Sequence, residues 1–236
     1  MKRIIALLLS VTVFATTNFA QDIKDPNVQL REAKDFHAIS VSSAFDVYLT
    51  QGTEEKVAVS ASETKYLEHI KVEVKNGVLV VGVDDKGKWF KGNKKLKAYI
   101  SFKSISSLSA SGACNVNIVG SLKADNLKVG LSGASDVKGK LEVGSLDVVL
   151  SGASDMKVSG TTSSVDIDAS GASSFKGFDF AADVCKVQAS GASDIKITVN
   201  KELSAHASGA SDIGYKGNAV IKEVHTGGAS SISHKS

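Results

Sequence analysis

From residue 127 onward, apolar and polar residues alternate with a period of two, in blocks that recur through the chain. The apolar members are Leu127, Val129 and Leu131; Leu146, Val148 and Leu150; Val165, Ile167 and Ala169; and Cys185, Val187 and Ala189. Between them fall polar residues such as Lys128, Asp147, Asp166 and Lys186. Strict alternation of this kind predicts half-buried strands. Each block closes on Ser-Gly-Ala or a close variant, with glycines at Gly112, Gly133, Gly152, Gly171, Gly191, Gly209 and Gly228. The steps between these glycines are 21, 19, 19, 20, 18 and 19 residues. A period near twenty marks a repeat architecture, in which stacked coils bury a core that no single coil buries alone.

Further columns follow from the same alignment. Four residues after each glycine stand Val116, Val137, Met156, Phe175, Ile195, Ile213 and Ile232. The residue directly after the glycine is always alanine: Ala113, Ala134, Ala153, Ala172, Ala192, Ala210 and Ala229. A constant small residue beside a glycine turn predicts an inward corner with little room, where Ala153→Asp would be the most damaging change. Each coil is expected to hold two short strands joined at the glycine corner, with connecting arcs of variable length. Seven coils stacked at about 4.8 Å make a rod of roughly 30 Å.

Residues 36–105 read as a diverged N-terminal β section and residues 106–236 as the seven-coil region. Ser42-Ser43-Ala44-Phe45-Asp46-Val47 echoes Ser132 to Val137. Strands are expected at Val57 to Ala61, Ile70 to Val74 and Val78 to Val83, with Asn76-Gly77 as a hairpin turn. A short helix is expected at residues 63–69, a polar linker at 21–35, and a basic loop from Lys86 to Lys97.

Composition agrees with a β-solenoid. There is one proline and there are 21 glycines, and aromatics make up 6%. The first twenty residues pair Lys2 and Arg3 with an apolar run from Ile4 to Phe14 and a small-residue end at Asn18-Phe19-Ala20. That pattern predicts a signal peptide and an exported chain, periplasmic, on the outer surface or secreted. No apolar run is long enough to predict a transmembrane segment. Removing Lys2 and Arg3 leaves 26 basic against 25 acidic residues, a net charge of +1. With Arg31 the only remaining arginine, neither a phosphate-reading nor a DNA-reading surface is expected.

The Phe45-Asp46-Val47-Tyr48-Leu49 strand, the Asn76-Gly77-Val78-Leu79-Val80 hairpin and the Ser-Gly-Ala series together resemble the autotransporter-adhesin head GIN domain family of exported Bacteroidetes-type proteins. The likeness covers about residues 36–232. The resemblance implies a right-handed parallel β-helix, similar to pectin-lyase-like folds, without an assigned catalytic set and with adhesion as the suggested role. The corners here read Ser-Gly-Ala rather than Gly-Ser-Gly, and the last reads Gly227-Gly228-Ala229.

Several residues carry candidate chemistry. Three after each corner glycine lies a polar row: Asn115, Asp136, Asp155, Ser174, Asp194, Asp212 and Ser231. Stacked carboxylates offer hard oxygens to Ca²⁺. The same residue types also satisfy turn donors, and Lys138, Lys157, Lys176 and Lys196 stand two positions further to offset the charge. No calcium site or cofactor is therefore assigned. Asp136, Asp155, Asp194 and Asp212 remain candidates for partner binding. His206 and His225 occupy one outward column with Asp168 and Gln188, three residues before the glycine. Two imidazoles can share a transition metal. No third ligand is evident, so spectators are the expectation; His37, His69 and His234 have no visible partners.

Cys114 and Cys185 lie four coils apart, about 19 Å, which excludes a disulfide and predicts two free thiols. Lys86, Lys88, Lys91, Lys94, Lys95 and Lys97 surround Trp89 and Phe90, and this loop is the first candidate for contact with a sugar or acidic polymer. No nucleophile elbow and no phosphate-binding glycine loop are present, so an enzyme is not expected. The expected function is adhesin-like binding of a surface glycan or protein. The alternatives are an envelope scaffold and, behind it, a polysaccharide lyase or hydrolase. The absence of a capping segment after the seventh coil predicts that the C-terminal end is covered by a partner or by self-association as a homo-oligomer.

Overall fold

The computed structural model describes residue 25 and residues 27–84 and 95–236. The N-terminal section holds β1 (Gln29–Arg31), β2 (Ala38–Val41), β3 (Phe45–Gln51), β4 (Lys56–Ser60), β5 (Ile70–Lys75), β6 (Val78–Val83), β7 (Leu96–Phe102) and β8 (Ser107–Ala110). The coils follow as β9 (Asn115–Leu131), β10 (Asp136–Leu150), β11 (Asp155–Ala169), β12 (Ser174–Ala189), β13 (Asp194–Ala207), β14 (Asp212–Lys216), β15 (Val220–Thr226) and β16 (Ser231–His234). A 3₁₀ helix at Thr64–His69 is the helical element among the described residues.

The chain is a β-solenoid of about seven turns with a spacing of about 19 residues. Strands β9 to β13 pair in parallel, each with the next. Leu127, Leu146, Val165, Cys185, Leu203 and Ile221 stand in one register column. A neighbouring column runs from Leu79 through Ile39, Leu108, Val129, Val148, Ile167, Val187 and Ala205 to Val224. It therefore crosses from the N-terminal section into the coils without a break. A third column, Val116, Val137, Met156, Phe175, Ile195 and Ile213, is buried from the opposite wall. Each such side chain contributes about 1.5–3 kcal/mol by leaving water.

The arcs differ from expectation. They belong to the ladder: Lys140 to Val143 pair with Ser159 to Thr162 as regularly as the flanking residues do. Each coil from β9 to β13 is thus one long bent strand rather than two short ones. Length differences between arcs are absorbed as register shifts, as between Lys138 and Lys140.

The corners correct a second expectation. The alanines face solvent. The inward residue is the next one: Ser135, Ser154, Ser173, Ser193 and Ser211 are buried. The corner glycine adopts a left-handed conformation (φ 74° at Gly152), which sends the following side chain out and the one after it in. The buried hydroxyls are satisfied locally. Ser154 Oγ donates to the Ser151 carbonyl at 2.8 Å, and Ser173, Ser193 and Ser211 repeat the bond to Ser170, Ser190 and Ser208. Cys114 takes the serine's place in the first corner, its Sγ 3.3 Å from the Ser111 carbonyl. The alanine contributes its backbone: Ala153 N–H donates to the Gly133 carbonyl at 2.8 Å, and each later corner does likewise.

The N-terminal section closes the other end of the column. β7 pairs in parallel with β3, β4 lies antiparallel on β7, and β1 antiparallel on β4. β1 falls within the stretch expected as a linker, where it covers the open edge of β4; Arg31 Nη2 donates to the Leu67 carbonyl at 2.9 Å. The β5–β6 hairpin turns at Asn76 and Gly77, both with positive φ (51° and 75°).

Both cysteines are buried free thiols. Among the described residues no helix is long and apolar enough to cross a membrane. The signal-peptide reading of residues 1–20 lies outside the described residues.

Candidate functional site

The polar row at the third position after each corner is straight and longer than expected. Asp46, Asn115, Asp136, Asp155, Ser174, Asp194, Asp212 and Ser231 stand directly opposite one another in successive coils. Alternation places them outward because Val47 and its counterparts point in; the exception is Ser174, which is buried. Lys138, Lys157, Lys176 and Lys196 form a second row on the same face. The rows neutralise one another in places. Lys176 Nζ lies 3.2 Å from Asp155 Oδ2 on the coil below, and Lys196 Nζ 2.6 Å from Asp194 Oδ2 on its own coil. Amide and hydroxyl members interrupt the carboxylates, with Asn115 Nδ2 donating to Asp46 Oδ1 at 2.9 Å and Ser231 Oγ to Asp212 Oδ1.

On the other wall, Asp168, Gln188, His206 and His225 form the column read from the sequence. These residues line an open groove with Ser190, Ser208 and Gly227. The imidazoles of His206 and His225 lie 4.7 Å apart between centroids. Glu223 joins them. Its Oε1 is 2.9 Å from His225 Nε2, and its Oε2 is 3.5 Å from His206 Nε2. These hydrogen bonds, that to His225 first, hold the Glu223 carboxyl below its ordinary range.

Glu223 escapes the histidine column because it stands two residues earlier, in the column of Lys128, Asp147, Asp166 and Lys186. Residues two apart on a strand share a face. Adjacent outward columns scanned together would have found it. The ladder slips between Leu203 and Ser204, so that Ile221 and Glu223 pair with consecutive residues and Lys222 is the extra residue.

His234 has a partner after all. Its Nε2 is 3.0 Å from the Gly217 carbonyl, and its ring meets Tyr215 edge-on at 5.1 Å. Of the basic loop, Lys88, Trp89, Phe90 and Lys91 lie outside the described residues. Its end is anchored: Lys97 Nζ is 2.9 Å from Asp25 Oδ2.

The wound sheet, the glycine stack and the N-terminal hairpin coincide with a sequence family described as "putative auto-transporter adhesin, head GIN domain", which matches residues 35–219. The chain belongs to this family. Solved structures share the head GIN fold. A "putative adhesin" of Bacteroides fragilis superposes with a TM-score of 0.82 at 24% identity, over 88% of this chain and 96% of that one. A "putative adhesin" of Parabacteroides merdae gives 0.69 at 22% identity, over 89% and 96%. A protein of Parabacteroides distasonis described as a "putative lipid binding protein" gives 0.64 at 18% identity, over 91% and 98%. No curated protein matches the chain significantly in sequence.

Proposed function

We propose that this head GIN chain is an exported, non-enzymatic binding protein that engages an extended surface partner, glycan or protein, in an adhesin-like role. One observation carries the reading: three coils set an aspartate and a lysine two residues apart on one face (Asp136/Lys138, Asp155/Lys157 and Asp194/Lys196), and the coil between the last two keeps the lysine as Lys176. A polymer laid along these coils meets a charged side chain of the same kind on neighbouring turns, four lysines in consecutive coils. Contacts that are individually weak then combine, because each bound unit raises the effective concentration of the next. A repeating solenoid face suits this task better than it suits a deep reaction cleft. The adhesin description of the family and the leader-like residues 1–20 support the role and the export.

The test is binding of the mature chain to immobilised glycans and to intact cells. Lys138→Ala, Lys157→Ala and Lys176→Ala combined should lower binding far more than any one of them alone. Binding indifferent to the triple variant, or none across the panel, would refute the reading. Release of product from acidic polysaccharides would establish an enzyme instead. Protease shaving of intact cells reports whether the chain reaches the surface.

A scaffolding reading has its own support. β15 pairs with β13 on one side and has no strand on the other among the described residues. Val220, Ile221 and Val224 are exposed there. A second copy meeting this edge about a two-fold axis would cover the same three residues on both partners. Light scattering should then show a dimer that Val224→Lys dissociates; a monomer at every concentration would exclude it.

A further inference from the structure

We propose that His206, Glu223 and His225 form a binding site for a divalent transition-metal ion, with Zn²⁺ the ion their donor set fits. Among the described residues this is the one place where three metal-donor side chains converge, with no two donor atoms more than 4.8 Å apart. Two imidazoles and a carboxylate are a recurrent donor set for zinc with a fourth position open. Bonds of about 2.0–2.1 Å place tetrahedral ligands roughly 3.3 Å from one another. Glu223 Oε1 lies 2.9 Å from His225 Nε2 and Oε2 lies 3.5 Å from His206 Nε2, so each imidazole already stands near that separation from a carboxylate oxygen. The carboxylate bridges the two rings, one oxygen to each Nε2, so an ion entering between them takes the place of the shared protons and one carboxylate oxygen turns to it. Each imidazole then turns an Nε2 lone pair to the ion and keeps its proton on Nδ1.

The surroundings permit it. The cations nearest in sequence and register are occupied elsewhere: Lys222 lies 3.3 Å from Glu202, and Lys201 3.0 Å from Asp183. All three side chains reach solvent (42%, 53% and 64% exposed), which gives the ion an entry path and leaves water to complete its shell. The aspartate row offers no equivalent, since its carboxylates alternate with lysine, asparagine and serine partners. The site also has a mechanical consequence. His206 belongs to β13, whereas Glu223 and His225 belong to β15, which among the described residues pairs with β13 alone. A bound ion therefore fastens the last arc to the coil beneath it, and metal binding becomes stability of that arc.

The experiment is calorimetric titration of the tag-free chain with ZnCl₂, with Co²⁺ absorption as a check on nitrogen and oxygen ligation. One ion per chain is expected, together with a rise in Tm. Loss of an outer-shell partner alone costs about 10- to 100-fold in affinity, so His206→Ala or His225→Ala should weaken binding at least about tenfold. Glu223→Gln should also weaken it, and His234→Ala should leave it unchanged. Proton NMR of the wild-type chain gives a readout independent of any variant: Zn²⁺ should shift the ring signals of His206 and His225 and spare those of His37, His69 and His234. Absence of saturable binding, equal binding by the doubly substituted His206→Ala/His225→Ala chain, or shifts at the other histidines would overturn the site.

Discussion

The carbonyl of Ser43 accepts the backbone N–H of Ala113 at 2.6 Å, which seats Ser43 directly beneath Gly112. The same bond joins every later corner to the glycine below it, so Ser43 stands in the column of the corner glycines. It is also left-handed, with φ at 88°. At Gly112 a Cβ would fall 2.4 Å from the Ser43 carbonyl oxygen. Left-handed backbone costs an L-residue about 1–2 kcal/mol, and glycine's extra unfolded-state freedom returns about 0.5–1, so Ser43→Gly should stabilise by roughly 0.5–1 kcal/mol. Gly112→Ser should do the opposite and by more. Urea titration of both variants checks the asymmetry; equal and opposite effects would refute the stacking argument.

The internal corners allow a sharper contrast between neighbours. A Cβ on Gly152 would stand 2.5 Å from the Gly133 carbonyl oxygen, at a φ of 74°. Gly152→Ala combines left-handed strain with a collision against backbone, and should cost at least about 3 kcal/mol. Ala153, one residue on, faces solvent, and Ala153→Asp should stay within about 0.5 kcal/mol of wild type. Comparable losses at the two positions in thermal melts would show that the alanine, not the glycine, bears the steric constraint.

Buried serines define a third prediction. Ser173 Oγ donates to the Ser170 carbonyl at 2.9 Å within the core. Ser173→Ala should cost about 1 kcal/mol, the net worth of such a bond. Cys114 occupies the equivalent place, so Cys114→Ser should fall within about 1 kcal/mol of wild type. Cys114→Leu, which overfills the corner, should cost about 1–3 kcal/mol. A severe loss on Cys114→Ser would mean that the first corner is built differently from the rest.

These corners also show how far the fold can be read before coordinates. Val129, Val148 and Ile167 announce a stacked column because alternation and a fixed period leave one arrangement that buries them all. Ala153 and Ser154 are different. Both are small, and which of them turns inward depends on the left-handed glycine, whose effect on side-chain direction no hydropathy pattern records. Arc residues such as Lys140 are equally opaque, since their pairing is enforced by the coil below rather than by their own alternation. At the candidate metal site the histidine pair was legible from its column. Glu223 was not, because its own column elsewhere carries ion-paired surface charges such as Lys128 and Asp147, 3.0 Å apart.

Burial of Cys185 pushes its thiol up to about 12 from an ordinary 9.0, because the core cannot solvate a thiolate. Exposed in the unfolded chain, the same thiol ionises near its ordinary value. Between those two values the folded chain holds the proton and the unfolded chain has lost it, so the contribution is fully present below about pH 9 and declines as pH rises beyond it. Stability should fall along the alkaline limb, and Cys185→Val should flatten that fall. A thiol reagent at neutral pH should leave Cys185 unmodified until the chain unfolds; rapid labelling of the native protein would contradict its place in the core.

Glu142 gives the acid counterpart. Its carboxylate lies 2.6 Å from Lys140 Nζ on its own coil and 3.1 Å from Lys123 Nζ on the coil below. The hydrogen bonds from Lys140 and then Lys123 hold the carboxyl down to about 2, against 4.5 for an unperturbed glutamate. Depressed in the folded state, the group favours folding at every pH above its unfolded value and loses that contribution as pH drops from 4.5 toward 2. The pairs are at the surface, so salt should weaken the effect. Thermal melts from pH 6 to pH 2 at low salt should therefore show a shallower acid decline for Glu142→Gln than for wild type, and the two curves should converge when salt is raised. Parallel curves at low salt would mean that neither lysine engages the carboxylate in solution.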